Sequence, residues 1–276
     1  MNIDLHCHSN VSDGALAPAA VARRAARAGV DVWALTDHDQ LDGLAEARAA
    51  ALDEGMRFVD GVEISVTWRG STVHVVGLRI DPGNEKLAAG LAAVRGGRLE
   101  RARAMARDLH AAGIDDAYEG ALGRAENPAM VSRTHFARFL ADIGAVADTR
   151  DAFRRFLVPG KPGYVPHQWA VLADAVQWIV AAGGQAVLAH PGRYGLSAGA
   201  MDVLLQEFRA AGGAALEVVT GSHSADQFRH FAALAAQHGF AASRGSDFHG
   251  PQEGAEFGTL PPLDPRLRPV WRDWEL

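Results

Sequence analysis

The chain has 276 residues, 48% of them hydrophobic, a formal charge of −6 and one cysteine, Cys7. That length and hydrophobic share suit one large α/β barrel, with or without an insertion, and exclude a disordered polymer. The acidic balance argues against a surface that coats DNA, and a lone cysteine excludes an internal disulfide and fits a cytoplasmic setting. Neither a charged leader followed by an apolar stretch nor a run of about 18 apolar residues is present, so no membrane association is expected.

In chain order, apolar runs predict strands at 2–7, 31–36, 57–65 and 72–80, with Ala-rich amphipathic helices at 17–28 and 41–54. From about Glu85 to Trp169 the pattern is helical without a confident strand, through the Arg-rich Arg95 to His110, then Ser132 to Ile143 and Asp151 to Leu157. The arginines from Arg95 to Arg107 read as a solvated helix face, with a positive entrance for a polyanion as the alternative. Strands at 185–189, 214–220 and 240–245 then alternate with helices at 170–182, 199–211 and 225–238. Pro18 suits a first helical turn, and Gly29, Gly55, Gly183, Gly212 and Gly239 sit where C-caps belong. Strand, helix, glycine, strand is the order of a parallel α/β fold, and about seven strands favour a closed or nearly closed barrel. The expected division is 1–84, the first part of the barrel; 85–169, a helical cap insertion; and 170–276, the second part of the barrel.

Metal-type side chains stand where these apolar runs end. His6 and His8 lie two apart on a predicted strand, so their imidazoles share a face, while Cys7 points away as a small buried residue. Ser12-Asp13-Gly14 presents a carboxylate just beyond, and the second strand ends in Asp37-His38-Asp39. Glu63 and His74 interrupt apolar strands, where an unpartnered polar group is costly. His190 closes a later strand, and Asp247 and His249 again share a face at period two. Any one of these could be a satisfied core polar group. Six or more in register point to a polynuclear metal site and to hydrolysis.

The order and spacing of these pieces resemble the PHP family, the polymerase and histidinol phosphatase superfamily. The resemblance runs through Asp4 to His8 with Ser12-Asp13-Gly14, Leu35 to Asp39, Gly61-Val62-Glu63, His74, Ala189-His190-Pro191 and Gly245 to His249. It implies a distorted, amidohydrolase-like (β/α)₇ barrel with a metal cluster at the C-terminal ends of the strands. It further implies three divalent ions: one on His6, His8, Glu63 and Asp247, a second on Glu63, His74 and His190, a third on Asp13, His38 and His249. Imidazole and carboxylate suit Mn²⁺, Zn²⁺ or Fe²⁺, and without thiolate ligands manganese is the expectation.

Two such ions about 3.5–4 Å apart can hold a bridging hydroxide for in-line attack on phosphorus. His135, with Asp37 behind it, is the candidate acid for the leaving oxygen. Arg133 and His135 lie together at a predicted helix start, and the planar arginine fork matches phosphate; Arg193 is a weaker candidate for the same contact. Ser132-Arg133-Thr134-His135 is similar to the phosphate-contacting element of the nucleotide-hydrolysing PHP subfamily. The resemblance therefore implies removal of the 3′-phosphate of nucleoside 3′,5′-bisphosphates, such as pAp to AMP, and 5′-3′ trimming of short RNA. Histidinol-phosphate phosphatase is the alternative enzyme, and a noncatalytic PHP scaffold the alternative outside catalysis. His110, His167, His230 and His238 read as bystanders, and His223 as ambiguous.

Overall fold

A computed structural model describes residues 1–275. Its strands are β1 (Ile3–Asp4), β2 (Val32–Leu35), β3 (Arg57–Trp68), β4 (Ser71–Leu78), β5 (Ala170–Val171), β6 (Gln185–Leu188), β7 (Ala215–Thr220) and β8 (Ala241–Gly245). They form one sheet in the order β1-β2-β3-β4-β6-β7-β8, with short β5 paired to β3. Beyond their regular spans the two ends of the sheet meet. Leu5 N–H donates to Arg244 O at 3.1 Å, His8 N–H donates to Phe248 O at 2.8 Å, and Cys7 bridges Phe248 in parallel. The result is the nearly closed α/β barrel that the alternation implied.

The parallel grammar breaks at one strand. β4 runs antiparallel to both β3 and β6, because a hairpin rather than a helix follows β3. Arg69 and Gly70 both take positive φ, 48° and 82°, the backbone that a tight two-residue turn between twisted strands demands. β3 therefore continues past the expected residue 65 to Trp68, and His74 pairs with Ser65 across the hairpin.

Helices α1 (Pro18–Arg27) and α2 (Leu44–Asp53) follow β1 and β2. After β4 come α3 (Glu85–Arg95), α4 (Arg98–Ala111), α5 (Ala117–Leu122), α6 (Arg133–Asp142) and α7 (Thr149–Ala152), the last running into a π-helical turn at Phe153–Leu157. Met105, Leu109, Phe136, Leu140 and Leu157 pack into a cluster of their own, apart from the barrel core. On α4 the buried positions are Arg98, Arg101, Ala102, Met105 and Leu109, a helical stripe whose first two members are arginines. Arg103 and Arg107 are exposed. The solvated face expected for the whole Arg95–Arg107 run thus holds for part of it only. α8 (Leu172–Ala181), α9 (Ala198–Ala211) and α10 (Ala225–His238) complete the outer layer. No described helix is long and apolar enough to cross a membrane.

Inward residues from every barrel strand but short β5 (Ile3, Val32, Val59, Val76, Val187, Ala215 and Ala241) form an apolar floor with Val270 and Trp274 of the C-terminal segment. That segment is fastened by Ala242 N–H to Arg268 O and Val270 N–H to Ala242 O, both 2.8 Å. Trp274 Nε1–H donates to Gln185 Oε1 at 2.8 Å, so the buried indole keeps a partner. The opposite rim, at the C-terminal ends of the parallel strands and the N-terminal half of antiparallel β4, carries the polar residues.

Candidate metal centre and its arginine-lined cleft

Glu63, fully buried on β3, is the hub of the mouth. Its Oε1 lies 2.9 Å from both His74 Nδ1 and His190 Nε2. Its Oε2 lies 3.0 Å from His38 Nδ1 and 3.3 Å from the Nε2 atoms of His6 and His8. Asp247 Oδ1 approaches the same two Nε2 atoms at 3.5 and 3.3 Å. Asp13 Oδ1 stands 3.4 Å from His249 Nε2 and 3.9 Å from His38 Nε2. All nine residues expected as ligands therefore converge on one mouth.

The donor set fits divalent cations. His6 Nδ1 is 3.1 Å from Glu217 Oε1 and His249 Nδ1 is 2.9 Å from Asp247 O; a proton held there leaves Nε2 as a lone pair turned inward. His6 Nε2 and His8 Nε2 are 3.2 Å apart, and Asp13 Oδ1, Glu63 Oε2 and Asp247 Oδ1 are buried without a hydrogen-bond donor. Converging lone pairs and unpaired carboxylate oxygens are costly unless a cation lies among them. Four overlapping groups have ligand atoms within 4.8 Å of one another: His8, Asp13, His38 and His249; His6, His190 and Asp247; His6, His8 and Glu63; and His38, Glu63 and His74. Their electrostatics agree. Burial opposes charge on Glu63, yet His74, His6 and His38 hold its carboxyl well below the usual range. Burial also opposes charge on His8, but Asp247 and Glu63 hold its pKa at about 10, so the carboxylates retain a proton where positive charge is wanted. Burial pushes His190 down to about 3, which leaves it a neutral donor.

Backbone strain marks the same place. Seven non-glycine residues have positive φ among the described residues, and Asp39 (50°), His190 (23°) and Asp247 (55°) are three of them; such conformations persist where the surroundings over-determine them. Gly245 permits the close fit, because a Cβ there would stand 2.3 Å from His6 Cβ.

The other expected residues take varied places. Arg193 donates to Asp247 Oδ2 at 2.8 Å and stays half-exposed over the cleft. Arg133 lines the cleft beside Asp13, His38 and His249. His135 is buried in a capping box, its Nδ1 accepting from Ser132 N–H at 3.0 Å. Burial pushes its pKa down to about 4, so the imidazole is neutral and its remaining N–H is what it can offer. Asp37 is buried and accepts from Ser9 N–H (2.7 Å), Ser9 Oγ–H (2.6 Å) and Ser12 Oγ–H (2.6 Å). These bonds make it a fastening for the turn that carries Asp13. Cys7 is fully buried and donates its thiol to Ala34 O. His223 is also a fastening, its Nε2 accepting from Gly192 N–H at 3.0 Å behind His190.

Two supporting residues escaped the sequence reading. Glu217 on β7 is buried, orients His6 through Oε1 and accepts from His190 N–H through Oε2 at 2.6 Å. A carboxylate inside the apolar run Ala215–Thr220 was the signal, the same one that marked Glu63. Arg98 is buried and paired with Asp39, which in turn accepts from Ser65 N–H and Oγ–H; Arg95 donates to Asp39 O at 2.6 Å. These two arginines tie the first helices after β4 to the loop that holds His38.

Comparison with known proteins agrees with this geometry. The PHP domain family matches residues 4–129. A 3′,5′-nucleoside bisphosphate phosphatase of Chromobacterium violaceum is 56% identical over 99% of this chain and 96% of its own length. The 5′-3′ exoribonuclease Rnm of Escherichia coli is 41% identical over 99% of this chain and 93% of its own. A solved amidohydrolase structure from C. violaceum, with bound sulfate and no metal, superimposes with a TM-score of 0.96 at 56% identity, covering 99% of this chain and 95% of that one. A structure from Bifidobacterium adolescentis described as a metal-dependent phosphoesterase gives 0.82 at 27% identity, covering 98% and 93%.

Proposed function

Because this chain belongs to the PHP family, we propose that it is a metal-dependent phosphoesterase that removes the 3′-phosphate of nucleoside 3′,5′-bisphosphates. The observation that carries the reading is the mouth itself: eight imidazole and carboxylate groups around Glu63, roofed by arginines. The relative named for this activity is similar along nearly its whole length.

We assign the ligands as three sets: His6, His8, Glu63 and Asp247; Glu63, His74 and His190; Asp13, His38 and His249. Three ions are proposed, manganese first, with zinc or iron as alternatives. When bound, such ions supply a water nucleophile at neutral pH and polarise phosphoryl oxygens. The chain's own residues do the rest. Arg193, half-exposed beside Asp247, offers its fork to the scissile phosphate. Glu217, Asp37 and His223 hold the ligand-bearing segments in place, so little reorganises on binding. Neutral His135, buried beside Arg133 and Thr134, steadies the α6 N-terminus through its bond to Ser132. Residues 85–169 act as the cap that separates the reaction from bulk water, in a protein we place in the cytosol.

A second reading, 5′-3′ trimming of short RNA, has its own support. Cavities of about 290 Å³ and about 470 Å³ flank Phe153 and Arg193 on two sides of the mouth, room for a longer 3′ substituent. The similarity to the exoribonuclease points the same way.

The test is to incubate Mn²⁺-supplemented protein with adenosine 3′,5′-bisphosphate, a 5′-phosphorylated dinucleotide and histidinol phosphate. The expected products are orthophosphate with AMP from the first and nucleoside 5′-monophosphate from the second. Release from histidinol phosphate alone, or from none of the three, sinks the nucleotide reading.

A further inference from the structure

Helix α6 touches the mouth through more than its first turn. Thr134 donates to Asp13 Oδ2 at 3.0 Å, and Arg138, four residues on and therefore on the same helix face, reaches the loop after β8. Arg138 Nε–H donates to Glu253 Oε1 at 2.8 Å, Nη2–H donates to Glu253 Oε2, and Nη2 also lies 3.5 Å from His249 O. The two side chains are 13% and 20% exposed. Exposed ion pairs drift in solvent and hold little in place; a two-pronged fork that is mostly buried fixes its ends.

The placement of the ligands says what this grip is for. Glu63 and His74 lie within β3 and β4, where ladder hydrogen bonds hold them. Asp13 lies in the turn after β1 and His249 in the loop after β8, outside any strand, yet the two supply half of the group His8, Asp13, His38 and His249. Their segments are stitched together: Ala15 N–H donates to His249 O at 2.6 Å, and a Cβ on Gly250 would stand 2.8 Å from Ala15 Cβ. Asp13 Oδ1 and His249 Nε2 are 3.4 Å apart, and a relative shift of about 0.5 Å is enough to spoil such a ligand geometry. Thr134 and Arg138, one turn apart on a rigid helix, hold the two segments in register.

We propose that Arg138 and Glu253 are a positioning pair for the outermost cation site, through which α6 sets the distance between His249 and Asp13. This rests on the metal-dependent reading above and deepens it. In this scheme Arg138 contacts neither ion nor substrate; it acts through Glu253 on the loop that carries His249. The ligands built into the barrel strands need no such help. Affinity for the outermost ion is therefore set by a helix of the cap, and affinity for the inner two by the barrel.

The experiment counts bound Mn²⁺ by equilibrium dialysis and elemental analysis over a range of free Mn²⁺, for wild type, Arg138→Gln, Glu253→Gln and the double variant. Wild type is expected to hold three equivalents. Each single variant should weaken the last equivalent about 10–100-fold and leave the first two nearly unchanged. The double variant should be no weaker than the worse single, because both substitutions remove one and the same contact. A third equivalent bound at wild-type affinity in both single variants, equal weakening of all three, or additive losses in the double would overturn the pair. If R138Q does not fold, E253Q decides by the same criteria. Two equivalents in wild type leave no outer ion to position and overturn the pair alone; none overturns the phosphoesterase reading along with it.

Discussion

The two ends of the barrel are built by opposite rules. At the floor, side chains from every strand but short β5 meet Val270 and Trp274 in a dry cluster, and the buried indole has its hydrogen bond. At the mouth, carboxylate oxygens of Asp13, Glu63 and Asp247 are buried with no donor, and three residues hold left-handed backbone. One end stores stability and the other spends it on readiness for a ligand. The contrast implies that substitutions at the two ends should separate activity from folding.

The largest separation is expected from Glu63→Gln. Removing the hub charge should lower phosphate release on the order of 10³-fold and reduce bound metal by elemental analysis. The unfolding midpoint of the metal-free protein should change only modestly, since the buried charge that is removed was also paired with His74 and His190. A falling midpoint with metal retained would contradict the division of labour. At the floor, Trp274→Ala should cost about 3–5 kcal/mol in denaturant unfolding with kcat of the folded fraction nearly unchanged. Loss of kcat in the still-folded enzyme would mean that the floor sets the geometry of the mouth.

Intermediate effects sharpen the comparison. Glu217→Gln keeps the shape beside His6 but loses the charge, so metal affinity should weaken about 10–100-fold, read by competition with a chelating dye. Gly245→Ala must displace His6, because the added Cβ falls 2.3 Å from His6 Cβ. It should weaken metal binding by about tenfold or more and cost about 1–3 kcal/mol of stability. The smallest effect belongs to neither end. The His110–Asp115 pair is exposed on both sides, and His110→Ala should move stability by less than about 0.5 kcal/mol and leave turnover alone.

Much of the mouth is legible in the sequence, because an ionisable group inside an apolar strand has few bland explanations. His6, His8, Glu63, His74 and His190 stand out on that ground alone. Glu217 carried the same mark in Ala215–Thr220 and was passed over, since no neighbouring histidine in sequence drew attention to it. The reversal of β4 was encoded in Arg69-Gly70 but hidden by ending β3 too early. The arginines of α4 were harder. Periodicity tells which positions share a face, and Arg98 and Arg101 share theirs with Met105 and Leu109. Arginine on a buried stripe is so uncommon that solvation was the natural reading. Tertiary partners decide such cases: Asp39 follows β2 and Trp169 precedes β5, both far from α4 in sequence. Asp37 shows the converse, a carboxylate among metal-type neighbours whose local serines claim both oxygens.

Asp13 is gripped from both sides. Ser132 Oγ and Thr134 Oγ1, at the start of α6, each donate to its Oδ2 at 3.0 Å, while its Oδ1 turns toward His38 and His249. A single carboxylate therefore serves as a latch whose one prong reports on the roof and whose other prong reports on the ion. Filling the outermost site should tighten the roof in hydrogen-exchange measurements, and prising the roof open should loosen that ion before the others.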